Sequence, residues 1–283
     1  MNKLALGTVQ FGLDYGITNS TGKVQIREVA SILEYAKEKN INVLDTAASY
    51  GNSEEVLGKI GVNHFQIVTK TTSINNGIDK VIESFYQSLK NLNQQKIDGL
   101  LIHNTEEVKN EQFDVLFQEL TGLKQQGLID KIGFSIYTPE ETDFLLENFD
   151  FDLIQVPFNV FDTRLLQGGQ LQRLKNKGIE IHARSVFLQG ILLDFNDLPS
   201  YFLTWENQFN VYQEIVKKSG LSKLEYALNF VLDIKELDKI LVGVYNVEQL
   251  QEIITASQKK TGTELMPFSI DDIDLLNPSL WTQ

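Results

Sequence analysis

Short apolar segments alternate with longer amphipathic segments along almost the whole chain. The apolar segments are rich in Ile, Leu and Val, and in the segments between them apolar residues recur at the spacing of a helix face. This order predicts repeated strand and helix units with a parallel sheet, rather than strands and helices that are segregated in the sequence. The eight predicted strands lie at KLALG, INVLD, FQIVT, DGLLI, KIGFS, FDLIQV, IEIHAR and KILVG.

Amphipathic helices are predicted between and after these strands. Turns that contain glycine, as in KQQGLIDKIGF and KNKGIEIHAR, end several of them, which is usual at helix C-termini. Because no Gly/Ser-rich linker interrupts the alternation, we predict one α/β domain over residues 1–283, a single (β/α)8 TIM barrel with a C-terminal extension of helix or coil after Ile254. The predicted helices cover residues 25–39, 53–59, 78–92, 114–126, 139–148, 165–176, 205–231 and 247–254.

The composition narrows the possible functions. The formal net charge of -13 argues against binding to nucleic acid or to an anionic membrane surface, since both partners require a basic surface. The absence of cysteine excludes disulfides and thiol catalysis, and with only three His and two Met we expect no metal site. The start, MNKLALGTVQFG, lacks a long apolar stretch, and no run approaches 18 apolar residues. We therefore expect a cytoplasmic protein that does not enter the membrane.

Four polar residues follow the predicted strands closely. Asp45, Lys70 and His103 stand at the ends of the second, third and fourth strands, and Tyr50 follows shortly after Asp45. Alone, such residues are more often a helix cap, a solvated charge or a structural histidine. Together they would meet at the end of the barrel where such enzymes hold their active sites. A cation beside a phenol lowers its pKa from about 10, so Tyr50 is a candidate proton donor for reduction of a carbonyl group.

The segment DTAASYGNSEEVLGK and the order of these four residues resemble the aldo-keto reductase family over nearly the whole chain. The resemblance implies a (β/α)8 enzyme that uses NADP(H), sometimes NAD(H), which agrees with the absence of a G-x-G-x-x-G fingerprint. It implies that Tyr50 is the general acid, that Lys70 lowers its pKa, that Asp45 pairs with Lys70, and that His103 orients the carbonyl oxygen of a small-molecule substrate.

The resemblance also implies a set of cofactor contacts, with some departures from the family pattern. Ile136 stands where an Asn is usual, and Tyr245 replaces a frequent Ser in a segment without basic residues, so NAD(H) remains an alternative to NADP(H). Arg184 replaces an aromatic residue that commonly stacks on the nicotinamide. Two interpretations of Arg184 are open. Its guanidinium either stacks on the nicotinamide or contacts the substrate, or it only pairs with an acidic residue at the barrel mouth. The expected cofactor-binding residues are Gly7, Thr8, Ser135, Gln155, Arg184, Ser185, Phe187, Gln189, Gly190, Gly243, Tyr245, Gln249 and Glu252.

Other features bear on the barrel and its substrate. His182 is expected to face inward one layer below Arg184 as a core histidine, and the chain has no room for the family's N-terminal hairpin, so something else must cover the barrel bottom. The residues expected near the mouth indicate a polyol, a sugar or an acid-bearing carbonyl compound. A sugar dehydrogenase or epimerase and a nucleotide-sensing regulatory subunit stay open as alternatives, as does the oligomeric state. The expected mouth residues are Phe11, Tyr15, Asn104, Tyr137, Asn159, Arg164 and Phe187.

Overall fold

Eight parallel strands close into a barrel in the order in which they occur along the chain. The computed structural model describes residues 2–17, 19, 21–259 and 265–281. Every predicted strand is present within one to two residues of its expected position, so the predicted (β/α)8 TIM barrel is confirmed. The strands are β1 (Leu4–Gly7), β2 (Val43–Asp45), β3 (Gln66–Lys70), β4 (Ile97–Ile102), β5 (Ile129–Ser135), β6 (Leu153–Pro157), β7 (Glu180–Arg184) and β8 (Lys239–Gly243).

Each predicted helix is present with its ends within three residues of the expected positions, but two of them are interrupted, and two short helices, Val9–Gly12 and Ile273–Leu276, were not individually predicted. The prediction of one continuous helix over residues 205–231 is wrong, because the chain turns at Gly220 with φ 73° and a new helix begins after Ser222. Ser222 and Glu225 form a capping box there, a local signal of a helix start. The helix expected over 165–176 is likewise interrupted, at Gly168 and Gly169. No helix in the described ranges is long and apolar enough to cross a membrane. The helices are α1 (Val9–Gly12), α2 (Ile26–Glu38), α3 (Ser53–Ile60), α4 (Ile78–Leu92), α5 (Phe113–Gln125), α6 (Pro139–Asn148), α7 (Arg164–Gln167), α8 (Gln170–Asn176), α9 (Glu206–Ser219), α10 (Lys223–Leu232), α11 (Val247–Ser257) and α12 (Ile273–Leu276), with 3-10 turns at Ile74–Asn76, Thr105–Lys109, Leu188–Gly190, Ser200–Trp205 and Pro278–Leu280.

Two separate hydrophobic clusters stabilise the barrel. Alternate residues of a strand point to opposite faces of the sheet, so one set packs against the surrounding helices and the other fills the barrel interior. The outer cluster includes Leu4, Leu6 and Leu44, whereas Ala5 and Val43, which are adjacent to them in the sequence, belong to the inner one. The inner cluster consists of Ala5, Val43, Val68, Leu101, Leu153 and Leu241.

Polar side chains occupy the lower end of the barrel. The Lys239 ammonium donates to the main-chain oxygen of Asn2 at 3.0 Å, so the short N-terminal segment lies against this end. Glu180 pairs with Lys131 and with His182 Nε2, the latter at 2.8 Å. The hydrogen bond from His182, followed by that from Lys131, lowers the pKa of Glu180 to about 2. His182 is 1% exposed, so its prediction as a core histidine below Arg184 is confirmed.

The C-terminal extension packs on the barrel as short helical turns and coil. Its last described part contains α12 and the turn at Pro278–Leu280. The Trp205 indole donates to Asp272 at 2.9 Å, and the Tyr226 hydroxyl donates to the main-chain oxygen of Met266 at 2.9 Å. These bonds join the extension to the long chain segment between β7 and β8. The predicted mixture of helix and coil is therefore confirmed for the described residues.

Candidate active site

Asp45 and Lys70 form a buried ion pair where β2 and β3 end. The residues are 4% and 2% exposed. Lys70 Nζ lies 2.7 Å from Asp45 Oδ1 and also donates to the main-chain oxygen of Thr46 at 2.9 Å. Buried charges are tolerated only with such partners, since the removal of each ion from water costs several kcal/mol. The pair therefore places one fixed ammonium inside the upper end of the barrel.

Tyr50 and His103 lie next to this ion pair. The Lys70 ammonium is 4.9 Å from the centroid of the Tyr50 ring. The rings of Tyr50 and His103 meet edge to face, with centroids 6.1 Å apart and an interplanar angle of 80°. Ser49 Oγ lies 3.4 Å from His103 Nδ1, which is a long contact. The structure thus brings together the four side chains that the sequence predicted to meet.

Close backbone packing fixes the turn that carries Tyr50. A Cβ atom at Gly12 would lie 1.8 Å from the main-chain oxygen of Tyr50, so only glycine fits at this position. The Thr8 hydroxyl donates to the main-chain oxygen of Asp45 at 3.0 Å, and Ser53 Oγ donates to the main-chain oxygen of Thr8 at 2.9 Å. The hydroxyl of Thr8, an expected cofactor ligand, is therefore bonded to the protein and holds the end of β2 in place.

Burial and charge determine the protonation of these groups. Burial raises the pKa of the Tyr50 phenol, and the Lys70 ammonium opposes this effect without outweighing it. The predicted effect of Lys70, a lower pKa of Tyr50, is present but is smaller than the effect of burial. The depth of burial cannot be judged from neighbouring residues in the sequence. Burial, followed by the charge of Lys70, lowers the pKa of His103 to about 4. At neutral pH the cavity therefore holds a protonated phenol and a neutral imidazole beside the Lys70 ammonium.

Gln155 binds the Asp45 carboxylate from the other side of the barrel. Its Nε2 donates to Asp45 Oδ2 at 2.7 Å, and the residue is 1% exposed. Since Asp45 Oδ1 accepts from Lys70, both carboxylate oxygens are held by the protein. The sequence predicted a contact between Gln155 and the cofactor but did not predict this bond. The carbonyl oxygen and the second N–H group of the Gln155 amide remain for a ligand.

A cavity of about 460 Å³ extends from the ion pair to α11. All four expected catalytic residues and all thirteen expected cofactor-binding residues line it. Their convergence on one cavity agrees with the sequence prediction, although the role of each residue stays a prediction. Several other lining residues lie in β8 or in the segments that follow β1, β7 and β8, without a motif that would have identified them. These are Val9, Gln10, Gly16, Val186, Leu193, Leu224, Leu241 and Ile253.

The segment after β7 has an unusual backbone conformation. Ser185, Leu188 and Gln189 have φ values of 58°, 46° and 52°, in the left-handed region that non-glycine residues rarely adopt. The main-chain oxygen of Ser185 accepts from Asn159 Nδ2 at 3.0 Å, which helps to hold this shape. Strained backbone of this kind is concentrated at ligand-binding sites. The segment forms one wall of the cavity, where the resemblance places the cofactor pyrophosphate.

Arg184 is held rigidly at the end of β7. Its Nη2 donates to the main-chain oxygen of Ile136 at 2.7 Å and its Nη1 to Ser185 Oγ at 3.2 Å. The centre of the guanidinium lies 4.2 Å from the centroid of the Tyr137 ring. Among the described residues Arg184 has no carboxylate partner, so the expected alternative of a pair with an acid at the mouth is not observed. One face of the guanidinium is covered by Tyr137, and the side chain lines the cavity.

Polar side chains lie along the cavity wall that is formed by the ends of β1 and β8. A Cβ atom at Gly243 would lie 2.1 Å from Gln10 Nε2, so the glycine leaves room for the Gln10 side chain in its present position. Gln10 Oε1 is buried and has no hydrogen-bond partner in the described part of the chain. The Tyr245 hydroxyl donates to the main-chain oxygen of Tyr15 and so joins the loop after β1 to the loop after β8. The unpaired amide oxygen of Gln10 can accept a hydrogen bond from a bound ligand.

Four of the residues that were expected at the barrel mouth do not line the cavity. Phe11 is 0% exposed and belongs to the outer core. Asn104 caps the following 3-10 turn, Asn159 supports the loop after β7, and Arg164 pairs with Asp162 at 2.8 Å. The sequence shows that these residues follow the upper strand ends, but it does not show which way each side chain points. The expected mouth residues that do line the cavity are Tyr15, Tyr137 and Phe187.

Known proteins match the chain over nearly its full length. The family model described as "Aldo/keto reductase family" matches residues 3–273. The uncharacterized oxidoreductase YqkF of Bacillus subtilis is 26% identical over 93% of this chain and 94% of its own length. The L-glyceraldehyde 3-phosphate reductase of Escherichia coli O157:H7 is 24% identical over 88% of this chain and 84% of its own length. The holo form of an aldo-keto reductase from Bacillus halodurans has the same fold, with a TM-score of 0.76 and 20% identity over 92% of this chain and 88% of that chain.

Proposed function

Because the chain belongs to the aldo/keto reductase family, a family of oxidoreductases, we propose that it reduces an aldehyde or ketone to an alcohol with Tyr50 as general acid. The observation that carries this proposal is the buried Asp45–Lys70 pair beside Tyr50 and His103. A carbohydrate-derived carbonyl compound is the proposed substrate. The hydroxyl groups along the cavity and the relative named L-glyceraldehyde 3-phosphate reductase support this substrate class.

The proposed roles follow from the geometry. A nicotinamide cofactor, when bound along the lining residues of this cavity, would supply a hydride for the carbonyl carbon. The neutral His103 imidazole donates a hydrogen bond that orients the carbonyl oxygen, and Tyr50 gives its proton to that oxygen as negative charge develops there. The Lys70 ammonium stabilises the phenolate that remains. Asp45, held in turn by Gln155, keeps the ammonium in position.

Oxidation of reduced cofactor in the presence of carbonyl compounds tests this function. We expect the purified protein to consume NADH or NADPH with hydroxylated aldehydes and to form the corresponding alcohols, measured by absorbance and by product analysis. Turnover should be absent without the carbonyl compound. A regulatory subunit that senses nucleotides would bind the cofactor tightly but reduce the whole panel poorly, and that result would contradict the proposed function.

We further propose that NAD(H), the alternative from the sequence, is preferred over the expected NADP(H). The resemblance places the adenosine end of the cofactor at the start of α11. There the Val247 amide donates to the Glu28 carboxylate at 2.9 Å, and the Tyr245 amide donates to Gln249 Oε1 at 2.9 Å. Negative charge from a protein side chain already occupies the N-terminus of this helix. An added 2′-phosphate would meet the carboxylate of Glu28 rather than free amide groups.

Binding titrations with NADH and NADPH check this preference without turnover. We expect NADH to bind at least about tenfold more tightly, since repulsion of a phosphate by a nearby carboxylate costs on the order of 1 kcal/mol or more. Glu28→Gln should reduce the difference. Arg27 lies beside Glu28 in a neighbouring recess and is the matched control, because Arg27→Gln should leave the preference for NADH unchanged. Tighter binding of NADPH that is lost in Arg27→Gln would contradict the proposal.

A further inference from the structure

The cavity contains one positive charge that no acidic side chain balances. Of the acids that line the cavity, Asp45 is bonded to Lys70 and Gln155, and Glu252 on α11 is exposed to solvent. Arg184 has no ion-pair partner among the described residues. A half-buried guanidinium without a counter-ion is unusual in a chain whose net charge is -13.

The neighbours of Arg184 are neutral at physiological pH. Burial raises the pKa of Tyr15 to about 12 and lowers the pKa of His103 to about 4. The charge of Arg184 acts on the pKa of Tyr15, Tyr50 and His103 alike, so the guanidinium lies close to the proposed reacting groups. Since Asp45 and Lys70 cancel each other, this end of the cavity carries an excess of one positive charge.

The guanidinium is also oriented for recognition. Two of its five N–H groups donate to the main-chain oxygen of Ile136 and to Ser185 Oγ, and the Tyr137 ring supports one face. The remaining N–H groups have no acceptor in the described part of the chain. A guanidinium that is fixed in this way loses little conformational freedom when it binds a carboxylate or phosphate through two parallel hydrogen bonds.

We propose that Arg184 forms an anion subsite, and that the carbonyl substrate carries a carboxylate or phosphate group which this subsite binds. The inference rests on the proposed function and deepens it, because it names the substrate class of the same cavity. The Tyr15 hydroxyl makes no hydrogen bond to the described residues and lines the same end of the cavity, where it can bind a hydroxyl group of such a substrate. An aldehyde or ketone with hydroxyl groups and one anionic group matches all of these side chains.

Kinetics with matched pairs of substrates test the proposal. The pairs are glyceraldehyde 3-phosphate with glyceraldehyde and glucuronate with glucose, each with the preferred reduced cofactor. For at least one pair we expect kcat/KM to be about tenfold or more higher for the anionic member, as a charged hydrogen-bonded contact implies. Arg184→Gln should abolish this preference, and Arg184→Lys should retain part of it, because an ammonium keeps the charge without the paired donors. High salt should weaken the preference.

Two further variants distinguish an anion subsite from a cofactor contact and from a general effect of charge. Arg173→Gln is the control for the loss of one positive charge, because Arg173 pairs with Asp143 on the surface. The preference for the anionic substrate should remain in this variant. Arg184→Tyr supplies a neutral ring that can stack on a nicotinamide but cannot bind an anion. A cofactor contact would give a different result: Arg184→Gln would weaken NADH binding, Arg184→Tyr would restore it, and neither variant would change the substrate preference. That result would show that the proposal is wrong.

A binding experiment distinguishes failure of this inference from failure of the proposed function. Calorimetric titration of the protein in the presence of NAD+ uses 3-phosphoglycerate and glucarate, which carry the anionic groups but no reducible carbonyl group. Binding of these anions that is at least about tenfold weaker in Arg184→Gln than in the wild-type protein supports the anion subsite. If the protein binds them in this way but reduces no carbonyl compound, only the reductase proposal fails. An absence of binding to the wild-type protein, or equal binding in Arg184→Gln, overturns the subsite.

Discussion

Replacement of Tyr50 by Phe is expected to lower kcat for carbonyl reduction by about 10²-fold or more, the contribution typical of a positioned general acid. The substitution removes only the hydroxyl group. The edge-to-face contact between the ring at position 50 and His103 can remain, because it involves ring atoms. The shape of the cavity should therefore be retained, and the Kd for reduced cofactor, measured by fluorescence titration, should change little.

Tyr137→Phe provides the matched control for the loss of a phenol. Tyr137 lines the same cavity, but its ring packs against Arg184 rather than Lys70. Removal of the Tyr137 hydroxyl should reduce kcat by less than about tenfold, whereas removal of a general acid reduces it by about 10²-fold or more. Near-normal turnover of Tyr50→Phe on a good substrate would show that another group supplies the proton.

The barrel and the meeting of its polar groups were accessible from local sequence patterns. Each strand is an apolar run, and in a parallel barrel the carboxyl ends of such runs must share one rim. The positions of Asp45, Lys70 and His103 at or directly after those ends were enough to predict that they meet. The break at Gly220 was also accessible, since Ser222 and Glu225 show the spacing of a capping box, but the long amphipathic pattern concealed it.

Contacts between distant segments were not accessible from the sequence. Gln155 and Asp45 are 110 residues apart, and the bond between them depends on which inward-facing side chains share a layer of the barrel. The contact between Tyr245 and Tyr15 spans 230 residues and depends on the path of two loops. The net pKa shift of Tyr50 is a third case, because burial by the whole fold competes there with the single charge of Lys70.

Loss of the Lys70 ammonium is expected to affect both catalysis and stability. In Lys70→Met, Asp45 keeps its bond to Gln155 but loses its cation, and removal of one partner of a buried ion pair costs about 3 to 5 kcal/mol of stability. A large decrease in Tm is therefore expected. The double variant Lys70→Met with Asp45→Asn removes both charges and should recover much of this stability. Lys96→Met is the control, because the pair of Lys96 with Asp130 is exposed and contributes little.

The pH dependence of the residual activity identifies the role of Lys70 in catalysis. Tyr50 must be protonated to act as the acid, so reduction declines as the pH rises through the pKa of its phenol. Lys70 lowers this pKa against the larger effect of burial. In the double variant the loss of Lys70 raises this pKa and the loss of Asp45 lowers it, and the effect of Lys70 is the larger of the two. The alkaline decline of kcat/KM should therefore move to higher pH in the double variant. The value of kcat should also fall by about 10²-fold, because the phenolate that is left after proton transfer loses the cation that stabilises it. A hydrogen bond to a charged group contributes about 1.5 to 3 kcal/mol. A double variant that is folded and active, but whose alkaline limb does not move relative to the wild-type protein, would show that Lys70 does not act through the Tyr50 phenol.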